Sequence, residues 1–287
     1  MATQTAQPAP RIKPGQIVLW LVVVLVTLVA LYPFLWAIVT SFKPQREALQ
    51  PTLLPWLQFD PIMDNWNAEL GRTGEENINA LKNSAIIAGG ATLVALSLGT
   101  SAGYGLARFR FRIGNRNLAS WFLSQRFLPP VATLIPFFLM LQRLDLFDTY
   151  LGMIIVNATF VMPFAVLITR DFFADFPKEL EEAALVDGAS HRQVFLRVAL
   201  PIAGPALVAA GIICFTFAWN EFLFASVLTV RDAQPFTVKI ISTGTVRGIH
   251  FGFVSTRLLM AVLPPLILSL FVQRYIVRGL TMGAVKG

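Results

Sequence analysis

The chain has 287 residues, of which 55% are hydrophobic and only 14% charged, against roughly 25% charged in ordinary soluble domains, which excludes a soluble globular protein and puts it in the membrane class. A net charge of +7 would point a soluble protein toward nucleic acid. Here the basic residues flank apolar runs instead of forming one continuous patch, so nucleic acid is not an expected partner. Cys214 stands alone inside an apolar run, so neither an internal disulfide nor a thiolate-metal site can be built. His191 and His250 lie far apart without metal-ligand spacing.

In chain order, residues 1–16 form an Ala-, Pro- and Gln-rich tail with Arg11 and Lys13. An uncharged run from Gly15 to Phe42 follows; it is too long for a signal-peptide core and shows no small-residue cleavage site, so it reads as an uncleaved first span. With about 20 apolar residues needed to cross a bilayer as a helix, six spans are expected at 17–41, 83–107, 118–141, 150–170, 204–230 and 257–274. The last is the shortest: only the stretch between Arg257 and Arg274 is uncharged, and both arginines are expected to snorkel to the surfaces. The chain therefore reads as one all-α membrane domain over 17–276, with a loop at 171–203 and a basic, Gly-rich tail at 277–287.

Six spans place both termini on one side. Putting the amino terminus inside gives thirteen Lys and Arg inside against nine outside, and the tight Arg108-Phe109-Arg110-Phe111-Arg112 turn dominates that bias. The expected arrangement has both termini cytoplasmic. Two longer loops, about 43–82 and 231–256, then lie outside; the first carries Trp56, Trp66, Pro51, Pro55 and Pro61 and is expected to fold against the membrane surface or a partner.

The loop from Pro177 to Pro201 is the longest polar interruption in the carboxy-terminal half. Pro177 suits a first helical turn, Glu179, Glu181 and Glu182 favour the positive end of that helix, and Gly188 supplies a stop. Ser190-His191-Arg192-Gln193 reads as a capping box that starts a second short helix ending at Pro201. Leu180, Ala183 and Ala184 share one face of the first helix, thin enough to enter a groove.

As spacing, this loop is Glu182-Ala183-Ala184, three residues, Gly188, nine residues, Val198, one residue, Leu200-Pro201. It resembles the EAA loop through which ABC importer permeases engage their ATPase, and it matches every fixed position of that pattern. The resemblance implies the type I ABC importer permease fold and an ATPase-coupling set of Glu181, Glu182, Ala183, Ala184, Asp187, Gly188, Ala189, Leu200 and Pro201.

Within the spans, Glu221 lies in Trp219-Asn220-Glu221-Phe222 and Arg126 interrupts the third span. An intramembrane ionisable group faces a bundle interior, a cavity or a partner charge. Asn220, Glu221 and Arg126 are therefore either translocation-pathway residues or a structural pair of Glu221 with Arg126. The Trp-Asn-Glu-Phe stretch is similar to one in carbohydrate-type permeases, which implies the pathway role. Pro33, Pro129-Pro130, Pro136, Pro163 and Pro264-Pro265 recur inside spans and suit a packed, moving bundle. Gly99 and Gly103 form a GxxxG, for packing within the chain or for an oligomer seam.

The closing segment from Gln273 to Gly287 resembles the end of the maltose-type carbohydrate permease subunit, where the family implies a tail reaching the ATPase pair; its composition alone suits an interfacial anchor. Taken together, the resemblance to carbohydrate-uptake ABC permeases implies a non-catalytic permease subunit of a bacterial plasma (inner) membrane importer for a sugar or sugar-like solute. Its implied partners are a second homologous permease, two ABC ATPase subunits that carry the ATP and Mg, and an extracytoplasmic solute-binding protein; this chain itself would bind no cofactor or metal. Two alternatives stay open: an ion-coupled secondary transporter, disfavoured by a single intramembrane carboxylate and no inverted repeat, and an importer of a non-carbohydrate solute. No His-Glu-x-x-His, Gly-x-Ser-x-Gly or P-loop occurs, so neither those enzyme classes nor ATP hydrolysis is expected of this chain.

Overall fold

The computed structural model of the chain describes residues 14–72, 74–241, 244–245 and 248–283. The amino-terminal tail before Pro14 and the last four residues, read above as parts of the two tails, lie outside the described residues, as does the side chain of Arg274. The architecture is helical. α1 (Pro14–Ser41) is followed by a short α2 (Asp64–Asn67) and a π-turn over Ala68–Arg72. α3 (Gly74–Arg108), α4 (Asn115–Ser124), α5 (Pro130–Arg143) and α6 (Tyr150–Asp175) come next. Then come α7 (Glu179–Val186), α8 (His191–Val194), α9 (Leu200–Ile202), α10 (Gly204–Trp219), α11 (Leu223–Leu228) and α12 (Phe236–Ile241). A two-residue antiparallel pair, β1 (Gly244–Thr245) and β2 (Gly248–Ile249), precedes the long α13 (Phe251–Gly283).

Among the described residues, four helices are long and apolar enough to cross a membrane, α1, α3, α6 and α13. Two bent pairs, α4 with α5 and the α8–α9 stretch with α10, pass only together, which makes six spans if each pair is one. The third span was read as one run; it turns by 91° between Phe127 and Pro130. The cause is local: Leu128, which precedes a proline, is extended with ψ 122°, and Pro129 with ψ 121°, because the proline ring disfavours helix in the residue before it. The fifth run also breaks, without a proline: α10 stops at Trp219, Asn220 to Phe222 leave the helix, and the six-residue α11 starts afresh.

The core is the packing of α3 on α6 with α10 laid across both. Ala88, Ala91 and Ala95 of α3 meet Ala158, Val161 and Ala165 of α6 and Cys214, Ala218 and Trp219 of α10, all buried. Small side chains let helix backbones approach where no hydrophobic effect drives them together. The GxxxG serves this contact: a Cβ on Gly99 would fall 2.6 Å from that of Ala165, and one on Gly103 would collide with Thr169 and the Val166 carbonyl. The motif's glycines are thus spent within the chain. By contrast, every residue of α1 from Gly15 to Leu35 is exposed, and within the chain α1 leans on α13.

Arg257 departs from expectation. Instead of snorkelling, it is buried, and its Nε donates to Glu69 Oε2 at 2.6 Å. Asn77 Nδ2 donates to the same oxygen at 2.7 Å. The π-turn before α3 brings Glu69 against α13, and an ion pair available inside the protein replaces the run to the surface.

Candidate functional site: a seated helix at one end and a lone arginine in the spans

α7 lies within the polar loop singled out from the sequence, Pro177 to Pro201. Its first turn carries Glu179, Glu181 and Glu182, which favour the positive end of the helix. It ends where Gly188 adopts φ +87°, a conformation that costs glycine little, and Ala189 N–H donates to the Ala184 carbonyl at 3.0 Å, the six-residue closure of a Schellman turn. Ser190 then caps α8: its Oγ accepts from Gln193 N–H, and Gln193 Oε1 accepts from Ser190 N–H at 2.8 Å. The helix that follows does not stop at Pro201. A π-turn over Phe195–Ala199 lets Leu200 N–H reach the Phe195 carbonyl, so the ladder has already slipped by one residue where Pro201 has no N–H to give.

The two faces of α7 have different tasks. Glu179, Leu180, Glu182, Ala183, Val186 and Asp187 are exposed, Val186 to 87%, and Ala184 and Ala189 are half-buried. Glu181 points the other way and is buried. Its Oε1 accepts from Arg108 Nε at 2.8 Å and its Oε2 accepts from the Tyr104 hydroxyl at 2.9 Å, both on the last turns of α3. Arg108 Nη2 also donates to the Phe176 carbonyl, just before α7. Below lies an aromatic bed in which Tyr104 contacts Phe109, Phe173 and Phe195. The sequence grouped Glu181 with the other expected ATPase-coupling residues, whereas the structure turns it inward, away from the exposed face of α7. Leu200 is half-buried and Pro201 exposed beside it.

Asn220, Glu221 and Arg126 are brought to one region but not joined as a pair. Glu221 forms no ion pair with Arg126; its carboxylate accepts from Phe224 N–H at 2.7 Å and Ala225 N–H at 3.0 Å, capping α11. Thr237 donates to the Glu221 carbonyl, tying α12 to the same break. Asn220 is exposed and donates from Nδ2 to the Thr216 carbonyl. Arg126 lies over two aromatic rings, 4.0 Å from the centroid of Phe164 and 5.0 Å from that of Phe217, and Nη1 donates to the Phe160 carbonyl at 3.2 Å.

At the end of the bundle opposite α7, sequence reasoning missed a clasp. The Asp148 carboxylate accepts the N–H groups of Val230, Arg231, Asp232 and Ala233, fixing the loop after α5 to the loop after α11. Partial burial pushes this carboxyl up, but the four amide donors together hold it below its ordinary value. No motif announces it, since backbone amides are present in every loop.

These features define a class: a multispan membrane protein with a capped, outward-facing helix at one end, seated on the core by a buried ion pair. Residues 95–282 match the model of the family described as binding-protein-dependent transport system inner membrane component, and the chain belongs to that family. The trehalose transport system permease protein SugB of Mycobacterium tuberculosis is 35% identical over 90% of this chain and 93% of its own length. The trehalose/maltose transport system permease protein MalG of Thermococcus litoralis is 31% identical over 92% and 94%. Among solved structures, a chain of a bacterial ABC transporter involved in the import of the acidic polysaccharide alginate superposes with a TM-score of 0.75 at 23% identity, covering 93% of this chain and 99% of that one. The fold is therefore that of an ABC importer permease.

Proposed function

We propose that this chain is one permease subunit of an ATP-driven importer for a sugar or sugar-like solute, in a bacterial inner membrane, with the α7 end facing the cytoplasm. The observation that carries the reading is α7 itself: a short helix, capped at its carboxy-terminal end, whose exposed face includes Glu182, Ala183 and Asp187 and whose other face is anchored through Glu181. The names of the similar permeases, which include trehalose, maltose and diacetylchitobiose systems, support a carbohydrate solute. Two ATPase subunits, a second permease and an external binding protein complete the proposed assembly. The exposed stretch of α1 from Gly15 to Leu35 and an apolar groove of about 1120 Å³ between α3, α10 and α13 suit such company.

In this reading ATP and Mg act on the partner subunits, and this chain transmits motion. Closure of the ATPase pair would displace α7; Glu181 and Arg108 would pass that displacement to α3; α3 would carry α6 and α10 with it. Because a ligand shifts an equilibrium only by its differential affinity for the two states, the docked helix must stay engaged in both. Solute would pass along the surface that presents Arg126 and Asn220.

The test is purification of the tagged chain from its native membrane, with ATPase activity of the eluate measured with and without sugar-loaded binding proteins. Recovery of an ATPase and a second permease, stimulated by one loaded binding protein, is the expected result. A folded chain that brings no ATPase would refute it.

A further inference from the structure

Arg126 is a cation that the chain leaves half satisfied deep among its spans. Phe160 and Phe164, which it touches, lie near the middle of the 26-residue α6, roughly 15–23 Å from either end at 1.5 Å per residue. No lipid headgroup reaches that depth. A guanidinium offers about five N–H donors, and the side chain of Arg126 makes one hydrogen bond and no ion pair among the described residues. The carboxylate of the fifth span, Glu221, is consumed by the amides of α11.

The surface around it is not built for lipid. Thr216, Phe217 and Asn220 form an exposed strip along α10, so a hydroxyl, a carboxamide and a guanidinium share one face with aromatic rings. Intramembrane charges of this kind face a bundle interior or a watered cavity and pair with one another or with backbone carbonyls, and the one carbonyl that Arg126 has, that of Phe160, occupies a single N–H of its fork. The two rings stabilise the cation through their faces but offer no lone pair. Phe164 and Phe217 also stack on each other, centroids 4.8 Å apart, which holds the shelf flat and leaves Phe217 half exposed.

Resting on the permease reading above, we propose that Arg126 is a solute contact specific for an anionic group, and that the solute class is a carbohydrate bearing a carboxylate, sulfate or phosphate. The guanidinium edge takes the anionic group in a bidentate, charge-assisted contact, and the exposed Phe217 ring meets the apolar face of the sugar.

The assembled importer, in nanodiscs of zwitterionic phosphatidylcholine and without nucleotide, is titrated with radiolabelled trigalacturonate and with the neutral galactose trimer. The wild type is expected to bind the acidic trimer at least about tenfold more tightly; Arg126→Gln should bring the two affinities together, and Arg126→Lys should keep only part of the preference because a point charge lacks the fork. Equal affinities in the wild type, binding of neither trimer, or a preference that survives Arg126→Gln would each overturn the proposal. So would separation of the two permeases in Arg126→Gln with the preference intact, which would give Arg126 a carboxylate on the partner permease instead. Failure of the importer reading is seen separately, as a preparation that contains no ATPase.

Discussion

Removing the carboxylate of Glu181 should unseat α7 without touching its exposed face. The side chains of Arg108 and Glu181 are 7% and 8% exposed, so solvent screens little of the interaction, and Glu181 receives two bonds, from Arg108 at 2.8 Å and Tyr104 at 2.9 Å. Hydrogen bonds to charged groups contribute about 1.5–3 kcal/mol each, and breaking a buried pair by deleting one partner costs about 3–5 kcal/mol. Arg108 Nη1 is already buried without a partner, so the orphaned cation would keep only the Phe176 carbonyl, through Nη2. If about 3 kcal/mol of this falls on the docked state of α7, the undocked fraction rises roughly a hundredfold. In Glu181→Ala, amides of residues 179–189 should lose hydrogen-exchange protection, and the reconstituted complex should hydrolyse more ATP per solute imported. Glu182→Ala, on the exposed face, should leave that protection intact. The double variant Arg108→Met/Glu181→Leu should recover much of the stability, since an apolar pair avoids the desolvation cost. If α7 in Glu181→Ala keeps wild-type protection and the complex its wild-type ATP-to-solute ratio, the seating argument is wrong.

Gly188→Val forces a β-branched residue to φ +87°, a strain on the order of 1–3 kcal/mol; with Glu182→Lys, it should uncouple ATPase activity from import while membrane insertion, read by fractionation, stays normal. Gly103→Leu should lower the thermal unfolding temperature in detergent through its clash with Thr169, while Gly89→Ala, with nothing within 4 Å of the added methyl, should not. Arg257→Met strands Glu69 in a site where it is 2% exposed, and should cost about 3–5 kcal/mol, measured in the same melt. The Asp148 clasp predicts a pH dependence: its carboxyl is held below the ordinary value near 3.8, so its stabilisation is present above that value and is lost as pH falls through the lower folded one. Protease cleavage in 229–234 should therefore rise below about pH 4, and Asp148→Ala should show that susceptibility already at pH 7, with no acid step.

What the sequence made legible was whatever chemistry acts between near neighbours. The stop at Gly188 and the Ser190–Gln193 box each need only a few consecutive residues, and both formed as their residue types dictate. Partners of charged side chains were not legible in this way, because they are chosen across the fold. Glu181 reads like its neighbours Glu179 and Glu182, yet 73 positions separate it from Arg108, and only the packing of α3 on α6 decides which glutamate turns inward. One clue was available: Tyr104 and Arg108 stand four apart, on one face at the end of α3, a donor pair awaiting an acceptor. Arg257 was misread for the complementary reason. Flanking an apolar run, it looked like a residue bound for the interface, and nothing local shows that Glu69, 188 positions away, has been carried into the protein by a π-turn. Glu221 shows the same limit from the other side: its depth was readable, but a backbone break at Asn220 supplied amides that no side-chain pairing rule counts. These four charges thus sort by the partners that the fold brings to them. Glu221 is satisfied by amides, Glu69 and Arg257 by each other with Asn77 and the Lys239 carbonyl beside them, and Arg126 has the Phe160 carbonyl and two aromatic rings but no carboxylate among the described residues.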